Sequence, residues 1–456
     1  MTSADAYRIT AYYHAHGFPL ARAIIPAQTI RDGVVNIEVI EARYGKTLLD
    51  SHSRVSDALL ASILSPLKSG QVISQAELDR VLLLLNDTPG AVMSATLKPG
   101  EAAGTSDLLV QGAPGPVVTG NVSADNYGNR YTGNARVGGE VAFNDPLHHG
   151  DVLDASVLSS GKDMDYGRVI YDLLLNGVGT HVGASYSALH YDLGDSLASL
   201  EGHGTADVDS LWAMQPLVRS VNVNLSAQLQ FDRKVLRDDL DVSQIYTHRH
   251  LDNWTLSLTG DEHDAILSTG IMTWSFGLTS GRVGFDDAEA ELADATTADT
   301  RGAFWQANAT FARLQRMTAK DNLYLTVSWQ WANTNLDPSQ KMIAGGVYTL
   351  RSYDMSALTG DEGIQASAEW RRELQVWHGQ WQAVAFVDTE HLTINEKTWT
   401  AGTNTATISG AGVGLNWTGP DQWSARASVA VRVGPVPVLS GATSSVREWL
   451  TIAKSF

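Results

Sequence analysis

The sequence predicts a mainly β fold: an antiparallel transmembrane β-barrel of about 16 strands, preceded by small α+β modules. Three observations carry this prediction. From about Pro116 to the C-terminus, apolar and polar residues alternate with period two. The alternating runs reach about ten residues, which is the length of a tilted strand crossing a bilayer, and tryptophans recur at their ends. Residues 1–112, by contrast, mix helical and strand periods.

The N-terminal elements follow in order. "SADAYRITAYYHAHGF" reads as a helix that starts near Ser3 and stops at Gly17. Strand-like runs "ARAIIPAQTI" and "GVVNIEVIEARYG" come next. "SDALLASILSPL", Ser56 to Leu67, is helical and halts at Pro66. In "SQAELDRVLLLL", Ser74 and Glu77 have the spacing of a capping box. Leu78, Val81, Leu82 and Leu85 then share one helical face. "AVMSATLKPGEAAGTSDLLVQ" reads as a hairpin turning between Lys98 and Gly104. Helix, helix, strand, strand is a small α+β module over residues 45–112, and residues 1–44 look like the second half of another.

Beyond Pro116 the runs are strands with one apolar face. In "VNVNLSAQLQF", Val221, Val223, Leu225, Ala227, Leu229 and Phe231 take one side, and Asn222, Asn224, Ser226, Gln228 and Gln230 the other. "LYLTVSWQW", "WTLSLTG", "IQASAEWRR", "GAGVGLNW" and "WSARASVAVRV" repeat the pattern. A soluble sandwich would alternate too. The membrane barrel is favoured by run length, by Arg, Gln, Asn and Glu on the polar faces, and by Trp254, Trp331, Trp370, Trp381, Trp417, Trp423 and Trp449 at run ends. Only closure lets strands cross lipid without unpaired edges. The chain ends in "REWLTIAKSF", with the aromatic Phe456 marking the strand that closes the barrel.

Composition narrows the functional classes. A formal charge of −18 argues against nucleic acid, which demands clustered Lys and Arg. There is no cysteine, so disulfides, thiol catalysis and Cys-ligated zinc are excluded. No run approaches the roughly 20 apolar residues of a membrane helix, and no basic, apolar leader opens the chain. No nucleophile elbow, HExxH, P-loop or dinucleotide fingerprint occurs, so neither an enzyme nor a cofactor is expected. His148 and His149 read as loop residues, "GDEHDAI" (Gly260 to Ile266) as a turn between strands, and the acidic Asp286–Asp299 as a surface loop. No metal site is expected.

Six blocks in order, "DNYGNRYTG" (Asp125), "FNDPLHHGDVL" (Phe143), "QPLVRS" (Gln215), "NLDPSQKMIAGGVYTLRSYD" (Asn335), "SGAGVGLNW" (Ser409) and "REWLTIAKSF" (Arg447), span most of the chain. Together they resemble the two-partner secretion transporters, the ShlB/FhaC/HecB haemolysin secretion/activation type within the Omp85 superfamily. The resemblance implies a partial first POTRA domain over 1–44, a second over 45–112, and a 16-stranded barrel over 113–456 with a lumen-folded loop around 337–363. The family's plug helix, its linker and the start of its first POTRA domain have no counterpart here. The implied location is the bacterial outer membrane, with the POTRA region in the periplasm. The implied function is secretion, and possible activation, of one large partner exoprotein (an adhesin, haemolysin or contact-dependent toxin) by a single copy of the chain without nucleotide hydrolysis. The alternative is an Omp85-type assembly factor for other outer-membrane proteins. Cargo would add to a POTRA sheet edge, near Val92 and Ser94 or near Leu108 and Val110.

The resemblance also assigns a site. The family's lumen loop carries an Arg-Gly-Tyr tip, matched here by Arg351, Ser352 and Tyr353. Its arginine is held by the aspartate of a Phe-x-Asp-x-Gly motif on the inner wall, matched by Phe386 and Asp388. Serine and glutamate replace the two family glycines, at Ser352 and Glu390. Ser352 takes positive φ less cheaply than glycine, and Glu390 adds a second possible acceptor for Arg351. By parity, Gln382, Val384, Phe386 and Asp388 face the lumen if Trp381, Ala383, Ala385 and Val387 face lipid.

Overall fold

The computed structural model describes residues 3–30, 33–376, 378–440 and 444–456. It opens with α1 (Ser3–Ala15), followed by the antiparallel pair β1 (Arg22–Ile24) and β2 (Glu38–Ile40). Gly17 ends the helix at φ 84°, a left-handed position that favours glycine. Next come β3 (Arg43–Ser51), α2 (Asp57–Leu64), α3 (Gln75–Asn86), β4 (Ala91–Pro99) and β5 (Thr105–Pro114).

The leucine stripes of the two helices explain this second group. Leu59, Leu60, Ile63 and Leu64 of α2, and Leu78, Val81, Leu84 and Leu85 of α3, pack on Tyr44, Met93, Leu108 and Val110 of the sheet. Ser74 caps α3 through the Glu77 amide, 3.4 Å away. The reciprocal half of the capping box is missing, because the Glu77 carboxylate instead accepts from Gln71 at 2.6 Å.

The sheet order is β3–β5–β4, with β5 parallel to β3 and antiparallel to β4. This corrects one expectation. Leu108 and Val110 lie on the central strand with fully buried side chains, so they cannot be an exposed edge. The outer side of β4, with Val92 exposed, carries no partner strand among the described residues.

The barrel begins with β6 (Val118–Asp125), β7 (Arg136–Asn144), β8 (Asp151–Ser159), β9 (Met164–Leu174) and β10 (His181–Asp192). It continues with β11 (Gly202–Arg219), β12 (Val223–Leu240), β13 (Ile245–Asp264) and β14 (Gly270–Phe285). Helix α4 (Ala288–Ala295) interrupts before β15 (Gly302–Arg316) and β16 (Asp321–Ala332). A loop carrying the small pair β17 (Met342–Ala344) and β18 (Leu358–Gly360) leads to β19 (Glu362–Leu374) and β20 (Gln380–Thr393). β21 (Thr405–Thr418), β22 (Trp423–Val433) and β23 (Val446–Ser455) complete the wall.

Sixteen strands, β6 to β16 and β19 to β23, form one closed antiparallel barrel. β23 pairs with β6, and the backbones of Phe456 and Gly120 exchange two 3.0 Å hydrogen bonds beyond the paired strands. Closure leaves no edge in lipid. Alternation then sorts the side chains, with Trp254, Leu256, Phe311, Trp329 and Val387 exposed on the outer surface. The strands differ in length. β11, β12 and β13 have 18, 18 and 20 residues, whereas β6, β7 and β8 have 8, 9 and 9.

The acidic segment before β15 contains the helix α4 where a surface loop was expected. Ala, Glu and Leu there are good helix formers, and the Asp294 carboxylate accepts from Thr300 and Arg301 to fix the exit. Gly260–Asp264 extends β13 before the turn, while His148 and His149 lie in a loop as expected.

The α2/α3 module seats on the turns at one end of the barrel. Arg54 donates to the carbonyls of Asn144 and Asp145 at 2.6 and 2.8 Å. Arg219 forks onto Asp87 at 2.7 and 2.8 Å, and Arg80 reaches the Pro216 carbonyl at 3.1 Å. A Cβ on Gly177 would lie 2.4 Å from the Ser62 backbone, so this turn approaches α2 more closely than a side chain permits.

Gly177→Val is therefore expected to lift the module from the barrel without unfolding either part. Pulsed EPR between labels at Lys98 and Lys320 should show a broadened, lengthened distance distribution; the absence of native cysteine makes the labelling clean.

Candidate functional site: an arginine clamp in the lumen

The loop between β16 and β19 folds back into the barrel. Its tip is shaped by Gly345 and Gly346, at φ 97° and 105°, where an added Cβ would meet the Asp354 carbonyl at 2.3 Å and the Met355 sulfur at 2.0 Å. Leu350, Tyr353 and Leu358 pack with Leu392, Ala406 and Ile408 of the wall. Ser352 is fully buried and is not among the left-handed residues; Ser356, four residues on, takes φ 56° instead. Ser352 fits because Gly410 leaves room: a Cβ there would stand 2.5 Å from the Ser352 Cβ.

Arg351 reaches the inner wall. Its Nε and Nη2 donate to the two oxygens of Asp388 at 2.9 and 2.6 Å, a bidentate fork. Nη1 donates to Glu369 at 2.5 Å and Nη2 also to the Ser367 hydroxyl at 3.1 Å. The Ser367 hydroxyl donates to Asp388 at 2.7 Å. The guanidinium carbon lies 3.4 Å from the centre of the Phe386 ring, a cation–π contact. Trp449 of β23, three strands along the wall, donates to the Arg351 carbonyl at 2.7 Å. Burial alone would lower the guanidinium pKa, but hydrogen bonding to Asp388 and the charges of Asp388 and Glu369 outweigh it and leave the pKa raised.

Arg351, Ser352, Tyr353, Phe386 and Asp388 thus meet at one place, with Asp388 facing inward as parity requires. Val92 and Ser94 lie far off in sequence on β4, and Phe456 joins Gly120 at the seam. No group of three His, Cys, Asp or Glu among the described residues is arranged to hold a metal ion.

A second set of contacts fixes the base of the loop. Buried Asp361 accepts from the Leu336 amide at 3.0 Å, the Glu396 amide at 2.9 Å and the Lys341 ammonium at 2.6 Å. Asp337 accepts from Arg249 at 2.5 Å, and Arg249 also holds Asp238 at 2.6 Å. Leu336 seals against Leu251, Val283, Phe304 and Ala332. Sequence reading missed this base. The block beginning at Asn335 contained Asp337 and Lys341, but Arg249, in "YTHRHL", had no motif to mark it.

A profile of the haemolysin secretion/activation protein family ShlB/FhaC/HecB matches residues 104–417. The chain belongs to that family. A ShlB-type POTRA profile matches residues 4–42. The heme/hemopexin transporter protein HuxB of Haemophilus influenzae strain 86-028NP is 26% identical over 374 residues, 82% of this chain and 66% of that protein. The outer membrane transporter CdiB of Escherichia coli is 22% identical over 424 residues, 90% of this chain and 69% of that one. The chain thus spans about two thirds of the length of these relatives. The structure of CdiB from Escherichia coli superposes with TM-score 0.81 at 20% identity, covering all of this chain and 84% of that one. CdiB from Acinetobacter baumannii gives 0.74. As a family member, the chain is an outer-membrane β-barrel with its N-terminal region in the periplasm, so the module-bearing end of the barrel is periplasmic.

Arg351→Ala strands the buried Asp388 carboxylate, whereas Glu369 keeps Arg371 at 2.7 Å, and should destabilise the inward seat of the tip by about 3–5 kcal/mol. Externally added proteinase K should then cut within residues 337–363 of folded, heat-modifiable barrels and spare the wild type. Asp337→Asn should loosen the base alone, raising the basal ion current in planar bilayers without exposing the tip.

Proposed function

We propose that this chain is a polypeptide translocator of the two-partner type, exporting one large exoprotein through its lumen. The observation that carries the reading is a polar lumen occupied by a loop whose tip is fastened by a discrete charge cluster, Arg351 with Asp388 and Glu369. A loop held at a few points can be released as a unit, which suits a conduit that opens for cargo. The lumen-facing positions of β13 to β16 between Asp261 and Arg249, among them Ser257, Ser275, Asn308, Thr310 and Ser328, carry no charge. Weak, repeated hydrogen bonding of that kind lets a chain bind without being trapped.

The module spanning β3 to β5 is the second POTRA domain in this reading, and residues before β3 belong to a partial first one. Cargo adds as a strand to the free edge of β4, near Val92 and Ser94. The chain carries no nucleotide fingerprint, so folding of the cargo outside draws the process forward as product is removed. It performs no chemistry on its substrate and acts as a single copy. The relatives' printed names refer to heme/hemopexin and to an outer membrane transporter; for this chain the cargo class is a large secreted exoprotein.

Cells producing this chain with its cognate exoprotein should export that protein, and Arg351→Ala should leave it in the periplasm while barrel levels hold. Absence of export by the wild type, with faltering outer-membrane assembly when the chain is removed, would sink the translocator in favour of an assembly factor.

A further inference from the structure

Glu390 lies outside the clamp. It is 1% exposed, and neither carboxylate oxygen has a hydrogen-bond partner. Its cross-strand neighbours on the lumen face are Gln365 and Ile408, which bring no charge. A buried carboxyl with no partner is costly to ionise, and an arginine brought within reach would pair it.

The geometry of the wall allows that pairing. Glu369 stands opposite Phe386, and Asp388 and Glu390 follow at successive positions of the same face. These are three levels about 7 Å apart, from a rise of roughly 3.4 Å per residue, climbing toward the outer end of β20. Arg351 now bridges the lower two. Gln365, facing Glu390, donates to the Thr349 carbonyl at 3.4 Å, so the loop already runs beside the third level. The Thr349 hydroxyl there is also buried without a partner.

We propose that Glu390 is the outer half of a second seat for the loop tip. Moved one level outward, Arg351 leaves Glu369 and bridges Asp388 and Glu390, keeping two carboxylates at every position. Asp388 is the shared pivot, and Glu390 acts as a positioning residue through Arg351. The inference rests on the translocator reading in one respect: the tip moves when the lumen is cleared.

The absence of native cysteine permits a direct test. Ser352 now abuts Gly410, and Ile408 is one level further out on the same face of β21. In reconstituted full chain, a Ser352→Cys/Ile408→Cys pair should form little disulfide. Glu369→Gln, which takes the inner carboxylate from Arg351 as well as from Arg371, should raise the yield several-fold, and adding Glu390→Gln should return it to baseline. Without cysteines, Glu369→Gln should add a long-lived open level in single-channel records that Glu390→Gln removes. A yield and a current that ignore Glu390→Gln in folded barrels would overturn the second seat. The translocator reading would survive that result, because export of cargo tests it separately.

Discussion

Every backbone N–H and C=O that enters lipid must find its partner inside the protein. The rest of the structure depends on this constraint. It forces β23 back onto β6, and closure divides each strand into a face for lipid and a face for water. An interior wide enough for a loop then exists before any functional residue is placed. Ser257, Ser275, Asn308 and Ser328 of β13 to β16, and Glu369, Asp388 and Glu390 of β19 and β20, are inward because their register leaves them nowhere else to go.

Within that interior the loop is held in two different ways. The tip relies on charge: a guanidinium fork in a partly dry lumen is worth more than the same pair in bulk water. Its base relies on a mixture, with Asp361 collecting backbone and ammonium donors while Leu336 excludes water beside the Arg249–Asp337 pair. Tip and base share no side chain in these contacts, so one can yield while the other stays fixed.

The barrel was legible in the sequence because period two is a local signal repeated over many strands. Arg351 and Asp388 were legible only through family motifs; nothing local distinguishes a lumen arginine from a solvated one. The loop base was not legible. Arg249, Asp337 and Asp361 come from three separate elements, and their meeting is a product of barrel closure rather than of spacing. The edge candidates Leu108 and Val110 failed for a related reason. Alternation shows that β5 is a strand, but strand order depends on the parallel crossover from β3, which no period records. The helix α4 was missed because an acidic composition was weighed above helix propensity.

Strand length carries a last consequence. β11 to β13 are about twice as long as β6 to β8, and the outward-facing Asp207, Asp209, Arg233 and Asp252 mark where the long wall has left the lipid. The outer rim is therefore slanted, high on one flank and near the membrane surface on the other. The mouth is a spout rather than a round hole. Whatever emerges meets a standing palisade on one side and open water on the other, so the barrel gives its exit a direction as well as a diameter.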